Sequence, residues 1–525
     1  MAKNKKELLN LFYIFLLVHL VLWTVVPTLV NQNLPLDTIE ALAWGSNLDW
    51  GFNKHPPASA FFIEFFYQLF GARDWAYYLL SQIFVIISFY FVFILSNEIL
   101  NNFKLSFISV LLLEGIYFYN FTTPEFNVNV AQLPFWSLTA YFAWKIFNKK
   151  DPHVYDLCLL GFFAAVGFLS KYLFLYLLIA IDLLFFYLIF VIKDRKFQFK
   201  YLISLEVFLL LLIPHIIWLV NNDYITLTYG LARTGAEEFQ LLNHFKNPIS
   251  FILKQIGILI PFFILCFFLI KKLKFKINLK DKKLIFLIFI NILPIFLIFL
   301  TSVLTGSKIR TMWMTPFYLF YGVMVIYILQ KYINLKKINL FYSVFLFLFI
   351  ISPSLYLFNS VAKKDQRIED GYRTQQATKP QTLSYAMMDS PIGVAAWIIE
   401  KMRGWSDLKN GDIESVYSKD ILLSNIMLYL VTKTFNTASW IYYGRREEGG
   451  RMLPKDHLPL NVPTAIAEFP KEYLEWAPRS YVERIYNIKQ WTKMSSGGHF
   501  AALEKPDLLI EDIIKFGKKL KNTNG

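Results

Sequence analysis

Residues 8–30 read LLNLFYIFLLVHLVLWTVVPTLV, and after a short turn the chain continues as Leu36-Asp37-Thr38-Ile39-Glu40-Ala41-Leu42-Ala43-Trp44-Gly45. An apolar run long enough to cross a hydrocarbon core of about 30 Å therefore hands over to a segment with two carboxylates three positions apart. Residues at i and i+3 lie on one face of a helix, so Asp37 and Glu40 point to the same side of an interfacial helix. Such a pair suits proton abstraction or cation binding. The plainer alternative is that Asp37 caps the helix with Glu40 as its box partner.

Composition extends the reading outward. Hydrophobic residues make up 56% of the chain and 53 residues are Phe, too apolar for a protein that is soluble throughout. Runs of membrane-spanning character recur at 8–30, 76–97, 105–119, 130–147, 154–170, 172–192, 201–220, 249–270, 284–303, 313–330 and 339–358, and then stop. The fold class is a polytopic α-helical membrane protein with about 11 transmembrane helices over 1–358, joined at a seam near residue 360 to a water-soluble part, 359–525. The start Met1-Ala2-Lys3-Asn4-Lys5-Lys6 reads as the flank of an uncleaved first span, since the run is too long for a signal peptide and lacks a small-residue cleavage site.

With the N-terminus in the cytoplasm, the inner loops and N-terminus carry 21 Lys and Arg and the outer segments carry 7, the bias expected of a membrane protein in that orientation. An odd number of spans then puts both the Asp37 loop and the C-terminal part on the outer side, the periplasm if the membrane is a bacterial inner membrane. The formal charge of +15 reflects topology and anionic-lipid contact and is no nucleic-acid footprint. Cys158 and Cys266 both fall in spans and offer no disulfide framework.

The first outer loop goes on through Leu48-Asp49-Trp50-Gly51-Phe52-Asn53 to Lys54-His55-Pro56-Pro57. The acidic motif followed by a His/Lys-Pro-Pro turn resembles the GT-C superfamily of glycosyltransferases, near the lipid A aminoarabinose transferases and the dolichyl-phosphate-mannose-dependent protein mannosyltransferases. Tyr119-Asn120-Phe121-Thr122-Thr123-Pro124-Glu125-Phe126-Asn127 resembles the family's second outer loop, which supplies another acidic residue. Gly167-Phe168-Leu169-Ser170-Lys171-Tyr172 is similar to its Gly-x-x-Thr/Ser-Lys stretch, and Arg310 begins a match to its Arg-x-x-Trp-x-x-Pro span entry. The resemblance covers 1–358. It implies a membrane enzyme that moves a sugar from a polyprenyl-phosphate donor to a periplasmic glycan, lipid or protein acceptor, with the lipid bilayer as its setting.

Chemistry distributes the roles. An acceptor hydroxyl attacking the anomeric carbon needs a base, and Asp37 is the first choice, with Glu40 beside it. Lys54, Lys171, Arg233, Lys308 and Arg310 all fall on the outer side, where an anionic leaving group needs cations. Glu40 and Glu125 are candidates for orienting the site or holding a divalent cation. His55 reads as a brace for the Pro-Pro turn more readily than as an acid, and Lys171 could equally snorkel at a span end. His215 is as readily a satisfied interior polar group as a functional one, and the loop 221–248 that its span opens is a candidate wall for the lipid or acceptor cavity.

From 366 to 525 the chain resembles the microsomal-type epoxide hydrolases, which have the α/β-hydrolase fold. The matching stretches are Glu369-Asp370-Gly371-Tyr372, Ala377-Thr378-Lys379-Pro380-Gln381-Thr382-Leu383, Asp389-Ser390-Pro391-Ile392-Gly393 and Gly497-Gly498-His499-Phe500. The resemblance implies that Tyr372 and Tyr443 correspond to lid tyrosines, Glu472 to the acid partner and His499 to the general base. It also implies an Asp nucleophile ahead of the lid, where this chain has membrane spans, so the C-terminal part is expected to be an incomplete, vestigial hydrolase. Asp49-Trp50-Gly51 echoes the missing elbow but has no strand before it. Lid helices at 391–404 and 419–431 and strands near 463–468 and 488–493 are expected, with unpaired strand edges and a partly ordered tail.

Two other function classes compete. An epoxide-hydrolase-related protein would need the missing Asp, and a lipid-linked sugar carrier would need ionisable groups deep in its spans, where Glu114 and Lys254 are the deepest candidates.

Overall fold

The computed structural model describes residues 2–31, 33–234, 241–270, 278, 280–333, 338–362, 366–448, 460–473 and 477–523. The chain divides into two compact units, Met1–Ala362 and Lys363–Gly525. The seam itself, 363–365, and parts of the loops 221–248, 271–283 and 331–338 lie outside the described residues.

The first unit is a multi-pass helical membrane fold. All eleven expected segments are helical, but they are unequal. Among the described residues seven are single helices long and apolar enough to cross a membrane: Lys5–Val30, Asp74–Leu100, Tyr172–Val191, Phe199–Asn221, Asn243–Leu269, Lys282–Thr305 and Ile338–Ser360. An eighth, expected at 313–330, is the pair Thr311–Tyr318 and Tyr321–Tyr332, bent by 51°. Pro316 stands in the first of these, a tight 3-10 stretch, and the bend follows at Leu319 and Phe320.

The remaining three fall short. Leu133–Asn148 and Val154–Ser170 have 16 and 17 residues, about 25 Å of helix at about 1.5 Å per residue. Phe103–Leu111 breaks into 3-10 turns at Leu112–Gly115 and Tyr117–Tyr119. Hydropathy registers an apolar run but not where its backbone ladder is interrupted.

Small residues set the helix spacing. A Cβ on Gly161 would lie 2.3 Å from the Ser204 carbonyl oxygen, so Val154–Ser170 and Leu202–Asn221 pack backbone to backbone at that point. In lipid such close approach replaces the hydrophobic drive that water would supply. Asp182, in the middle of Tyr172–Val191, is a deep carboxylate that the sequence reading passed over; it lines an apolar cavity of about 380 Å³.

Between the first two spans the chain forms two surface helices, Leu36–Gly45 and Ala58–Phe70. Pro35 occupies the N-cap of the former without a side-chain bond, and Asp37 sits in the first turn. The capping-box alternative is thereby set aside: Asp37 complements the helix dipole but caps nothing.

The second unit comprises Gln366–Thr378, Pro380–Asp389, Pro391–Gly404, Lys419–Thr432 and Phe435–Glu447, then strand β1 (Leu460–Glu468), strand β2 (Tyr486–Lys493) and the helix Pro506–Thr523. Ser390 and Ser418 cap their helices through the amides of Gly393 and Ile421. Leu383, Val394, Ile426 and Phe435 form one small core, and Met402, Tyr417 and Leu422 another. The strands pair in parallel in a sheet that has only two strands among the described residues. Its outer edges are unpaired there, and Val462 on β1 is 69% exposed.

Candidate functional site

A cavity of about 630 Å³ opens in the membrane unit. Its lining includes Asp37, Glu40, Lys54, His55, Lys171 and Arg233, residues distant in sequence but expected on the same side of the membrane. The i, i+3 spacing does put both carboxylates of the Leu36–Gly45 helix on the cavity face.

Each charge is held differently. Lys54 donates to Glu40, tying the Lys-His-Pro-Pro turn to the carboxylate helix. Asp37 offers its backbone N–H to Glu125 Oε1 at 3.2 Å, while among the described residues its carboxylate accepts no hydrogen bond. Glu125 lies behind the helix, and its carboxyl is raised above the usual range by burial first and then by the Asp37 charge. Lys171 is buried, donates to Asn129 and stands 5.3 Å from the centre of the Trp313 ring. Burial pulls its ammonium down to about 7, with Asp37 opposing that shift and Arg233 adding to it.

His55 is driven to about 3, by burial first and then by Lys171, Arg233 and Lys54, so its imidazole stays neutral at any ordinary pH. Its carbonyl accepts the Phe52 amide at 3.1 Å, which makes it a turn brace. His215 is satisfied on both sides, by the Trp50 carbonyl at 2.5 Å and the Tyr172 hydroxyl at 2.7 Å. Arg310 is exposed and does not line the cavity.

One wall comes from within the 221–248 loop, where no motif marked a helix. The helix Ile225–Thr234 contributes Leu227, Gly230, Leu231 and Arg233. It is pinned at its start by Thr226 Oγ1 to the Phe52 carbonyl at 2.6 Å and at its end by the Lys308 amide to the Thr234 carbonyl at 3.0 Å. Tyr229, which accepts from Arg233, and Asn129 also escaped notice, because neither belongs to a motif. Only the amphipathic spacing of 225–234 could have signalled the helix.

Asp49-Trp50-Gly51 has a structural use. Asp49 Oδ2 accepts the Trp218 indole N–H at 2.7 Å, and a Cβ on Gly51 would meet that ring at 2.3 Å. The motif clips the loop to the span Phe199–Asn221 and forms no strand-to-helix elbow.

Glu40 is engaged by Lys54 and Glu125 by the Asp37 amide, and no group of three metal-ligating side chains is brought together among the described residues.

In the second unit His499 Nδ1 lies 2.8 Å from Glu472 Oε1. The loop carrying His499 is firmly held: Gly497 adopts φ 112, a region that favours glycine, and Glu504 accepts the amides of Gly498, Phe500 and Asp407 at 2.8–2.9 Å. Trp405 joins the pieces, with its ring 5.2 Å from both His499 and Tyr372. Burial, and then Tyr473, push the Tyr372 hydroxyl up to about 12. The tyrosine beside Tyr372 is Tyr442, at 5.8 Å, whereas Tyr443 packs on Trp440. Neighbouring helix positions differ by about 100° in direction, so the two adjacent tyrosines face different neighbours.

Residues 54–218 match the dolichyl-phosphate-mannose-protein mannosyltransferase family. Juvenile hormone epoxide hydrolase 2 of Ctenocephalides felis is 41% identical over 156 residues, 29% of this chain and 34% of that protein. Epoxide hydrolase 1 of Sus scrofa is 40% identical over 154 residues, 28% of this chain and 34% of that protein. The chain thus spans about a third of the length of these curated relatives. The crystal structure of ArnT from Cupriavidus metallidurans bound to undecaprenyl phosphate aligns over 88% of this chain and 82% of that one, with TM-score 0.46 and 12% identity. One chain therefore joins a multi-pass membrane unit similar to the dolichyl-phosphate-mannose-protein mannosyltransferases to a C-terminal segment similar to a third of an epoxide hydrolase.

Proposed function

We propose that the membrane unit is a glycosyltransferase that moves a sugar from a polyprenyl-phosphate donor to an acceptor hydroxyl on the outer, periplasmic side of a bacterial inner membrane. The observation that carries this reading is the single cavity in which Asp37 faces Lys54, Lys171 and Arg233. Asp37 takes the acceptor's proton as its oxygen bonds to the anomeric carbon. The bond from that carbon to the phosphate oxygen breaks, and the electron pair leaves on phosphate, where the three cations stabilise it. His55 and Glu125 support the site, and no step is routed through a divalent cation. The family match over 54–218 supports the reaction class. Among the deep groups a carrier would draw on, Glu114 is already engaged by His19 and Asn120.

The test is transfer of label from polyprenyl-phosphate pentoses and hexoses by membranes containing the chain. Release of polyprenyl phosphate with a glycosylated product supports the proposal, and no transfer from any donor of the panel overturns it.

Lys171 gives the reaction a pH signature. A lysine held near 7 loses its charge as pH rises through that value, so KM for the anionic donor should rise several-fold between about pH 6 and pH 8. Lys171→Arg, charged throughout that range, should flatten the profile. Stability runs the other way: between about 7 and the ordinary lysine value the unfolded chain binds more protons, so folding is favoured as pH rises through that window. A flat wild-type KM profile would remove Lys171 from donor binding.

Orientation is tested separately. A reporter fused after Lys282 should stay cytoplasmic and one fused after Ser360 should be exported. A cytoplasmic signal from the second fusion would mean a miscounted span, with 105–119 and 154–170 the first suspects.

A further inference from the structure

His19 and Glu114 face each other deep in the membrane unit. His19 Nδ1 lies 2.7 Å from Glu114 Oε1, and their side chains are 0% and 1% exposed. The rings of Phe15, Trp23, Phe89 and Phe349 surround the imidazole. A polar pair at such depth is costly to maintain, and well-packed apolar residues of similar volume often serve stability as well or better. Its retention calls for something other than packing.

The hydrogen bonds show where the pair leads. Glu114 accepts the Asn120 side-chain amide twice, at its carbonyl at 2.9 Å and at Oε2 at 3.1 Å. Asn120 Oδ1 accepts the Phe121 amide at 2.6 Å and the Ser352 hydroxyl at 3.3 Å, and its carbonyl accepts Thr123 Oγ1 at 2.7 Å. Ser81 and Gln82 hold Thr123 in turn. Two residues on, Glu125 receives the Asp37 amide, and Thr38 Oγ1 donates to the Phe126 carbonyl at 3.2 Å. The buried His19–Glu114 pair is thus linked, through the second outer loop, to the first turn of the helix that carries both carboxylates.

We infer that His19 and Glu114 are positioning residues: they fix the loop 117–127, and through Glu125 they set the height of Asp37 over the cavity. The catalytic part of this inference rests on the proposed transfer reaction, whereas the structural part does not. Neither residue touches the cavity, so their effect belongs in the geometry of the reacting groups and not in donor binding. A misplacement of about 1 Å costs on the order of 10²-fold in rate.

The experiment compares wild type, the double variant His19→Leu/Glu114→Leu and Glu114→Gln as full-length chains in lipid nanodiscs, by amide hydrogen exchange and by transfer kinetics. The double variant leaves no unpaired charge and is expected to insert normally. Exchange should quicken in 117–127 and 36–45 and not in the spans, with turnover lower by about 10²-fold and KM within about twofold. Glu114→Gln keeps both contacts by donating to His19 Nδ1 and accepting from Asn120, and should restore wild-type exchange and most of the turnover.

Unchanged exchange in both segments of the double variant overturns the inference. So does quickened exchange with undiminished turnover. If the double variant fails to insert, Asn120→Ala severs the same chain nearer the surface and must show the same local exchange, wild-type exchange there being fatal. If wild type transfers no sugar at all, the proposed reaction falls, while quickened exchange in these two segments still upholds the anchor.

Discussion

Asp37→Asn is expected to lower sugar transfer by about 10²–10⁴-fold, the range for loss of a general base, with insertion and donor KM near wild type. Asn is isosteric with Asp but cannot take a proton at its carbonyl oxygen. The backbone bond from Asp37 to Glu125 does not involve the substituted atoms, so the helix should stay in place. The loss should therefore fall on kcat, since a base acts only as charge moves in the transition state. Near-normal turnover would remove Asp37 from the role. Glu125→Gln would then be the informative variant, because burial and the Asp37 charge raise the Glu125 carboxyl whereas Glu40 is engaged by Lys54.

The second large effect is an absence of catalysis. The purified chain is expected to show no epoxide turnover above background, although His499 and Glu472 sit in hydrogen-bond contact. That pair can activate water, but water in the two-step route attacks an ester that an Asp nucleophile must first have formed. In this chain the residues ahead of Tyr372 build the membrane unit, and Asp49 is bonded to Trp218. The measurement is diol formation from a panel of epoxides with His499→Ala as control. Turnover that His499→Ala abolishes would demand a nucleophile from elsewhere.

Where local signals act, the sequence was legible. Ser390-Pro391 and Ser418 mark helix starts, and the helices at Pro391–Gly404 and Lys419–Thr432 fall on or within a residue of 391–404 and 419–431. The strands Leu460–Glu468 and Tyr486–Lys493 enclose the expected 463–468 and 488–493. The cavity-facing Asp37, Glu40, Lys54 and Lys171 were found because each lies in a motif beside a span end. Legibility ends where contacts are long-range. Nothing near His19 announces Glu114, 95 residues away, and nothing near Lys171 announces Asn129. Span continuity is hidden by the same limit, since hydropathy averages over the 3-10 breaks at Leu112–Gly115 and Tyr117–Tyr119.

In the proposed transfer, the bond between Lys54 and Glu40 bears on how the cycle would end. A sugar phosphodiester carries one negative charge, whereas the polyprenyl phosphate left after transfer is a monoester approaching two, as phosphate monoesters do near neutral pH. A cavity lined with unopposed cations would hold its product more tightly than its substrate and stall. Because Glu40 competes for Lys54, one of those cations always has somewhere else to go, and the spent carrier can be surrendered to the bilayer for recharging.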